Sequence, residues 1–193
     1  MKSINIDSQK RCNWCEKDDL YRNYHDNEWG RPVYDDATLF EFLILETFQA
    51  GLSWHTILKK RENFRKAFDK FDVKKVAAYN DKKLQILIED KGIIRNQLKI
   101  KSAVSNAQAF IKIQEEFGSF SKYIWAFVDG KPIDNKPQTL KDVRATTPLS
   151  DALSKDLKKR GFKFVGSTVV YAHMQATGMV NDHVTDCFTR KNN

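Results

Sequence analysis

Residues 150–177 read SDALSKDLKKRGFKFVGSTVVYAHMQAT. A lysine-rich helix is predicted over 150–160, where Gly161 stops it, and a second helix over 167–177, where Gly178 stops it. Between them Gly161-Phe162-Lys163-Phe164-Val165-Gly166 makes a tight turn whose two glycines leave the backbone bare. The form is that of a helix-hairpin-helix. Its N–H groups, with the N-terminus of the second helix, can cradle one DNA phosphate. Lys158, Lys159, Arg160 and Lys163 add positive charge beside it. Such a contact positions DNA and reads no sequence. The same residues also suit an ordinary corner between two helices with a glycine cap. The adjacent basic cluster favours the phosphate reading.

Outward from this turn the pattern is helical almost throughout. An apolar helix is predicted over 38–48, then an amphipathic one over 55–68 with Ile57, Leu58, Phe64 and Phe68 against its basic faces. Short helices started by aspartate N-caps are expected over 72–79 and 81–89. A long helix over 96–117 carries Ala103, Val104, Ala107, Phe110 and Ile111 inward. Gly118 ends it, and Ser119 caps the next, through 123–128. Residues 129–147, with Pro132 and Pro137 inside and Pro148 at the end, read as an irregular connection. No sustained two-residue alternation occurs, so the expected class is all-α. One domain is expected over 11–190, with residues 1–10 as a polar, loose extension.

A chain of 193 residues is long enough to bury a core within one domain. Its 41% hydrophobic and 12% aromatic content excludes a disordered chain. Glu41, Glu46 and Gln49 interrupt the greasiest stretch before it reaches the length of a bilayer span. The opening MKSINIDSQKRCN lacks the apolar core of a signal peptide. A soluble cytoplasmic protein without a membrane partner is therefore expected. The net charge of +8 is densest near residues 59–61, 91–101 and 155–163, which suits a polyanionic partner such as nucleic acid. Solvated lysine-rich helix faces would look the same.

The stretch 37–54, ATLFEFLILETFQAGLSW, places a carboxylate where the pattern wants hydrocarbon. Leu39, Leu43, Glu46 and Ala50 share one helical face. Burying an unpaired charge costs several kcal/mol, so Glu46 must find a partner or become neutral. An arginine from another helix would make it a structural residue; otherwise it is a candidate functional acid. Trp14, Tyr21, Tyr24, Trp29 and Trp54 flank the segments that carry Cys12, His25 and Glu46. Rings of this kind fill cores. They also suit a nucleobase, because stacking contributes roughly 1–3 kcal/mol per base and a carboxylate accepts from an exocyclic amine.

Three cysteines make an odd count, and structural disulfides are not expected in a cytosolic chain. His183 and Cys187 stand at i, i+4, so one helical turn can aim both at a single ion; Cys12 and His25 supply a second pair. Two thiolates and two imidazoles are a tetrahedral zinc set. Cys12 and Cys15 also form a C-x-x-C, which fits half a zinc knuckle or a redox pair, and Cys15 fits equally well as a small buried hydrophobe.

Several motifs in one order now carry a resemblance. They are Arg11-Cys12-x-Trp14, Tyr24-His25-Asp26-Asn27-Glu28-Trp29-Gly30, Leu45-Glu46-x-x-Gln49-Ala50-Gly51-Leu52-Ser53-Trp54, residues 157–166 and Val180-Asn181-Asp182-His183. From about residue 11 to 187 the chain resembles the bacterial DNA-3-methyladenine glycosylase I family. The resemblance implies an all-α helix-hairpin-helix DNA glycosylase fold whose zinc site joins the N- and C-terminal segments. It implies excision of 3-methyladenine, and of 3-methylguanine as a further substrate, from alkylated double-stranded DNA, with the free base as product. By motif position, Cys12, His25, His183 and Cys187 fall on structural zinc ligands, with Cys15 a bystander. Glu46 falls on the carboxylate that binds the methylated adenine. Tyr24 and Trp54 fall on the rings that hold it, with Trp14 and Tyr21 nearby. Gly51 and Leu52 fall on the loop that enters the duplex, and Gly161, Lys163 and Gly166 on the DNA-binding hairpin.

Relatives with this hairpin place an aspartate after it in a Val-Asp-x-His context. Here Asn181 holds that slot, and an amide cannot act as a base. Asp182, one residue along, is expected to point elsewhere. N3-methylation already makes the base a good leaving group, so flipping, orienting and desolvating the nucleotide suffice. No lysine nucleophile is implied, and a monofunctional, monomeric enzyme is expected. The rival readings are a non-catalytic helix-hairpin-helix DNA-binding protein with structural zinc, and a zinc-stapled structural protein whose Glu46 pairs with arginine.

Overall fold

The greasiest stretch folds as α2 (Asp36–Gln49), where Leu39, Phe40, Phe42, Leu43, Ile44, Leu45, Glu46, Thr47 and Phe48 are all buried. A helix that is apolar all round belongs at the centre of a fold. In the computed structural model, which describes residues 9–192, the other elements surround it. A 3-10 turn (Asn13–Cys15) and α1 (Asp19–Asn27) precede it. Next come α3 (Trp54–Ala67), α4 (Val73–Ala77), α5 (Asp81–Glu89), α6 (Gln97–Phe117) and α7 (Phe120–Trp125). Last come α8 (Pro148–Lys159) and α9 (Ser167–Ala176). α2 packs on α3, α6, α7 and α9; α6 runs along α4, α5 and α7; α8 lies against α9. Phe40, Phe48, Phe64, Phe68, Phe110, Phe120 and Phe162 fill the spaces between them. Asp36 fastens the start of α2 to α7, accepting from the N–H groups of Phe120 at 2.9 Å and Ser121 at 2.8 Å. No helix among the described residues is long and apolar enough to cross a membrane.

The helical reading holds, with differences that follow from capping. Asn80, not Asp81, caps α5, because its Oδ1 takes the N–H of Lys83 at 3.0 Å while Asp81 occupies the first turn. α7 starts at Phe120, directly after its Ser119 cap, and continues into a 3-10 turn at Ala126–Val128. α8 starts at Pro148 because Thr147 caps it and proline's missing N–H is harmless in the first turn. The loose extension expected over 1–10 lies outside the described residues except for Gln9 and Lys10. Lys10 is held, since its carbonyl accepts from the N–H of Phe188 at 2.9 Å.

The chain is mostly helical rather than purely so. β1 (Ile133–Asp134) pairs in parallel with β2 (Val180–Asn181), Ile133 opposite Val180. Strands of two residues leave no alternation to detect in a sequence. Their pairing lays the connection between α7 and α8 over the C-terminal segment.

α9 stops where Gly178 takes φ +71°, a conformation that favours glycine. The stop is also a close approach: a Cβ at Gly178 would lie 2.3 Å from the carbonyl carbon of Arg31. Residues 30–33 cross the helix end there, the N–H of Gly30 bonding Gln175 O at 3.1 Å and that of Val33 bonding Thr177 O at 3.0 Å. Gly178→Ala is expected to lower stability by about 3 kcal/mol or more, because backbone rather than a flexible side chain must yield. Denaturant titration checks this; an unchanged midpoint would show that the crossing is free to move.

Candidate active site and metal centre

Three helices each turn an i, i+3 pair toward one cavity: Tyr21 and Tyr24 from α1, Glu46 and Gln49 from α2, Ala172 and Gln175 from α9. Trp54, the first residue of α3, and Trp14, from the 3-10 turn, close two sides. Trp29, Leu140, Val143 and Asp182 complete the lining. The volume, about 230 Å³, is smaller than the ~300–1,000 Å³ of drug-sized sites and suits a single heterocycle. The rings support one another. Trp14 meets Tyr21 edge-on at 4.9 Å and Trp29 at 5.0 Å, and Tyr24 stands 5.6 Å from Trp54.

Glu46 lies among these rings almost fully buried, and its Oε2 has no hydrogen-bond partner among the described residues. Arg61, the buried arginine of α3, is spent on Glu28 at 2.6 Å and Glu41 at 2.5 Å. Burial alone pushes the Glu46 carboxyl well above the usual carboxylate range. Tyr21 is carried up to about 12, by burial first and then by Cys15 and Glu46. A second buried polar atom of a lining residue, Trp54 Nε1, also lacks an acceptor among the described residues. Residues of the aromatic-walled lining thus carry one unsatisfied acceptor and one unsatisfied donor.

Asp182 does not point elsewhere. It is buried, lines the cavity, and accepts from Asn135 Nδ2, Tyr171 Oη and Gln175 Nε2, each at 2.7 Å. Successive residues of an extended segment face opposite sides. Asn181 faces away from the cavity and accepts the N–H of His183 at 3.2 Å, so Asp182 faces in.

Cys12, His25, His183 and Cys187 meet in a second, closed site, all buried, with their ligand atoms within 4.8 Å of one another. Cys12 Sγ and Cys187 Sγ stand 3.7 Å and 3.5 Å from His183 Nδ1, and Cys187 Sγ stands 3.4 Å from His25 Nε2. Metal bonds of 2.0–2.3 Å give tetrahedral edges of about 3.3–3.8 Å, which these three separations match, so the four residues could hold a metal ion. Their outward nitrogens are also fixed. His25 Nδ1 meets Asp26 at 2.8 Å, which Arg11 holds at 2.9 Å, and His183 Nε2 donates to Trp29 O at 3.2 Å. Carbonyl and carboxylate partners of this kind orient metal-binding imidazoles. The hydrogen bond between the thiols lowers Cys187 and raises Cys12. Burial opposes a charged His25, yet Cys15, Cys187 and Asp26 carry it up to about 10. His183 and Cys187 converge through a turn rather than the expected helical turn, the next 3-10 segment starting only at Phe188. Cys15 is not one of the four, but it lies beside them, its Sγ donating to Cys12 O at 3.0 Å and its thiol raising His25.

The remaining candidates lie outside the cavity. Gly51, at φ +84°, and the exposed Leu52 form the turn between Gln49 and Trp54, at the cavity's edge. Gly161, Lys163 and Gly166 form the turn between α8 and α9, where Gly166 caps α9 without a side-chain oxygen. Sequence reasoning left out Gln49, Gln175, Leu140, Val143 and Asp182 as lining residues. Gln49 was within reach, being one turn beyond Glu46; the others reach the cavity only through tertiary contacts.

A methyladenine glycosylase family model matches residues 14–190. DNA-3-methyladenine glycosylase 1 of Escherichia coli (strain K12) is 49% identical over 178 residues, covering 92% of this chain and 95% of its own length. A crystal structure of 3-methyladenine DNA glycosylase I superposes with a TM-score of 0.90 at 50% identity, covering 93% of this chain and 98% of the other. The Staphylococcus aureus enzyme, solved to explain 3-methyladenine recognition, gives 0.90 at 40% identity over 93% and 96%. With the match running along nearly its whole length, the chain belongs to the methyladenine glycosylase family.

Proposed function

We propose that this protein is a base-excision repair glycosylase that hydrolyses the N-glycosidic bond of 3-methyladenine in alkylated double-stranded DNA and releases the free base. The observation that carries this reading is the partnerless carboxyl of Glu46, buried in a ring-lined cavity the size of one heterocycle. The family membership and the 3-methyladenine named for its relatives support it. The lesion enters as a cation. A positive ring beside Glu46 removes the penalty for ionising that acid, so the pocket favours the alkylated purine over neutral adenine. Glu46 accepts from the exocyclic amine, and Trp54 Nε1 is free to donate to a ring acceptor. Stacking on Tyr24, Trp54, Trp14 and Tyr21 offsets the few kcal/mol of extruding the nucleotide. The glycosidic electron pair leaves with the purine, which becomes neutral; water adds to the sugar carbon and sheds a proton. No lysine is among the lining residues, in keeping with a monofunctional enzyme.

The finer assignments belong to the same reading. Residues 11–190 act as one monomeric domain on bacterial DNA in the cytoplasm. The α8–α9 turn serves as a helix-hairpin-helix. The first N–H groups of α9 have no intrahelical acceptor, and together with Lys163 they receive a phosphate. Leu52, carried on Gly51, enters the duplex where the base leaves. Zinc on Cys12, His25, His183 and Cys187 has a structural role, tying both chain ends to the wall that Trp14 and Trp29 form.

Incubation with methylated DNA is expected to release 3-methyladenine as the main purine, identified by chromatography; a protein that binds the DNA and releases nothing is the non-catalytic rival. Glu46→Gln is expected to weaken free 3-methyladenine about tenfold or more with the fold intact; equal affinity by titration would remove the carboxyl from recognition. The same substitution has a pH signature. A raised native pKa means stability is lost as pH climbs above the ordinary 4.5, so Glu46→Gln should gain on the parent as pH rises and not below. Cys12→Ser is expected to lose bound zinc and Cys15→Ser to keep it; metal analysis giving the reverse would reassign the ligands.

A further inference from the structure

Two buried side chains on α6 reach across the protein to the two turns assigned above to DNA. Lys99 is 6% exposed, and its Nζ donates to Phe48 O at 3.0 Å and Ala50 O at 2.6 Å. These carbonyls end α2, directly before Gly51 and Leu52. The last carbonyls of a helix lack intrahelical donors and attract a cation. Glycine at position 51 already ends the helix. The lysine therefore adds a fixed tether to the base of an exposed turn, at the cost of desolvating its charge, which lowers its pKa. Asn106 is fully buried and makes a reciprocal pair with one residue of the other turn. Its Nδ2 donates to Lys163 O at 3.1 Å, and its Oδ1 accepts the N–H of Lys163 at 2.7 Å. The next residue, Phe164, is held at φ +55°, a left-handed conformation that a bulky residue rarely takes unaided.

Lys99 and Asn106 are seven residues apart, two turns and about 10 Å along one helix face. We propose that they are positioning residues which use α6 as a ruler, fixing the spacing between the Gly51–Leu52 turn and the Gly161–Gly166 turn so that both meet one duplex at once. This rests on the reading of those turns as DNA contacts. A shift of an ångström in either turn leaves the base cavity intact and spoils the grip that extrudes the base.

The test compares three readouts in Lys99→Met and Asn106→Leu: excision of 3-methyladenine from duplex DNA, excision from single strands, and affinity for the free base. Asn106→Leu keeps the side-chain volume and removes both bonds to Lys163 without burying a charge. Duplex excision is expected to fall about tenfold or more in each, while free-base affinity and single-strand excision stay within about twofold or threefold. Lys99→Arg, which restores donors, should recover most of the duplex rate. Losses that fall equally on all three readouts would mean general loosening of the fold and overturn the proposal. So would an unchanged duplex rate in both variants when Leu52→Ala lowers it. A Leu52→Ala protein with full duplex activity would instead overturn the underlying assignment of that turn.

Discussion

A carboxyl group held without a partner in an aromatic chamber is the constraint around which this protein is arranged. Burial with nothing to balance the charge pushes the Glu46 carboxyl well above the usual carboxylate range, so its ionisation there is costly. The ordinary remedy in this core is an arginine, and Arg61 performs that service for Glu28 and Glu41 within the same helical layer. Glu46 is kept out of that network. The unmet charge becomes a selectivity device: in the proposed reaction the ligand itself brings the compensating cation, and an unmodified purine does not.

The walls of the chamber depend on the cysteine and histidine cluster. Trp14 follows two residues after Cys12 and packs 5.3 Å from His25; Trp29 packs 4.5 Å from His183 and lends it a carbonyl. Both tryptophans also line the cavity. Closing the four ligands around one ion would therefore set two of the aromatic walls, with no ligand touching the base.

The helices divide the remaining work. α1, α2 and α9 present their inner faces to the cavity, whereas Gly51 and Leu52 after α2, and Lys163 and Phe164 before α9, are exposed. Asp182 joins these layers. Its three hydrogen bonds tie the connection after α7 and helix α9 to the cavity's rim, and fix a carboxylate in the cavity lining.

Helical class, the cavity rings, Glu46 and the four metal-cluster residues were legible in the sequence because each leaves a local mark. Those marks are a 3.6-residue apolar period, a lone acid on a hydrocarbon face, and thiols and imidazoles at the two ends. The two-residue strands left none, and the cap of α5 turned on Asn80 competing with its neighbour. Asp182 was misplaced because adjacent polar residues look alike until an extended segment decides which one faces inward. What the sequence by itself determined was which groups are chemically able to act. Only the tertiary structure decided which of them share a space, because convergence of residues far apart in the chain depends on how α2 is enclosed, and no local periodicity encodes that.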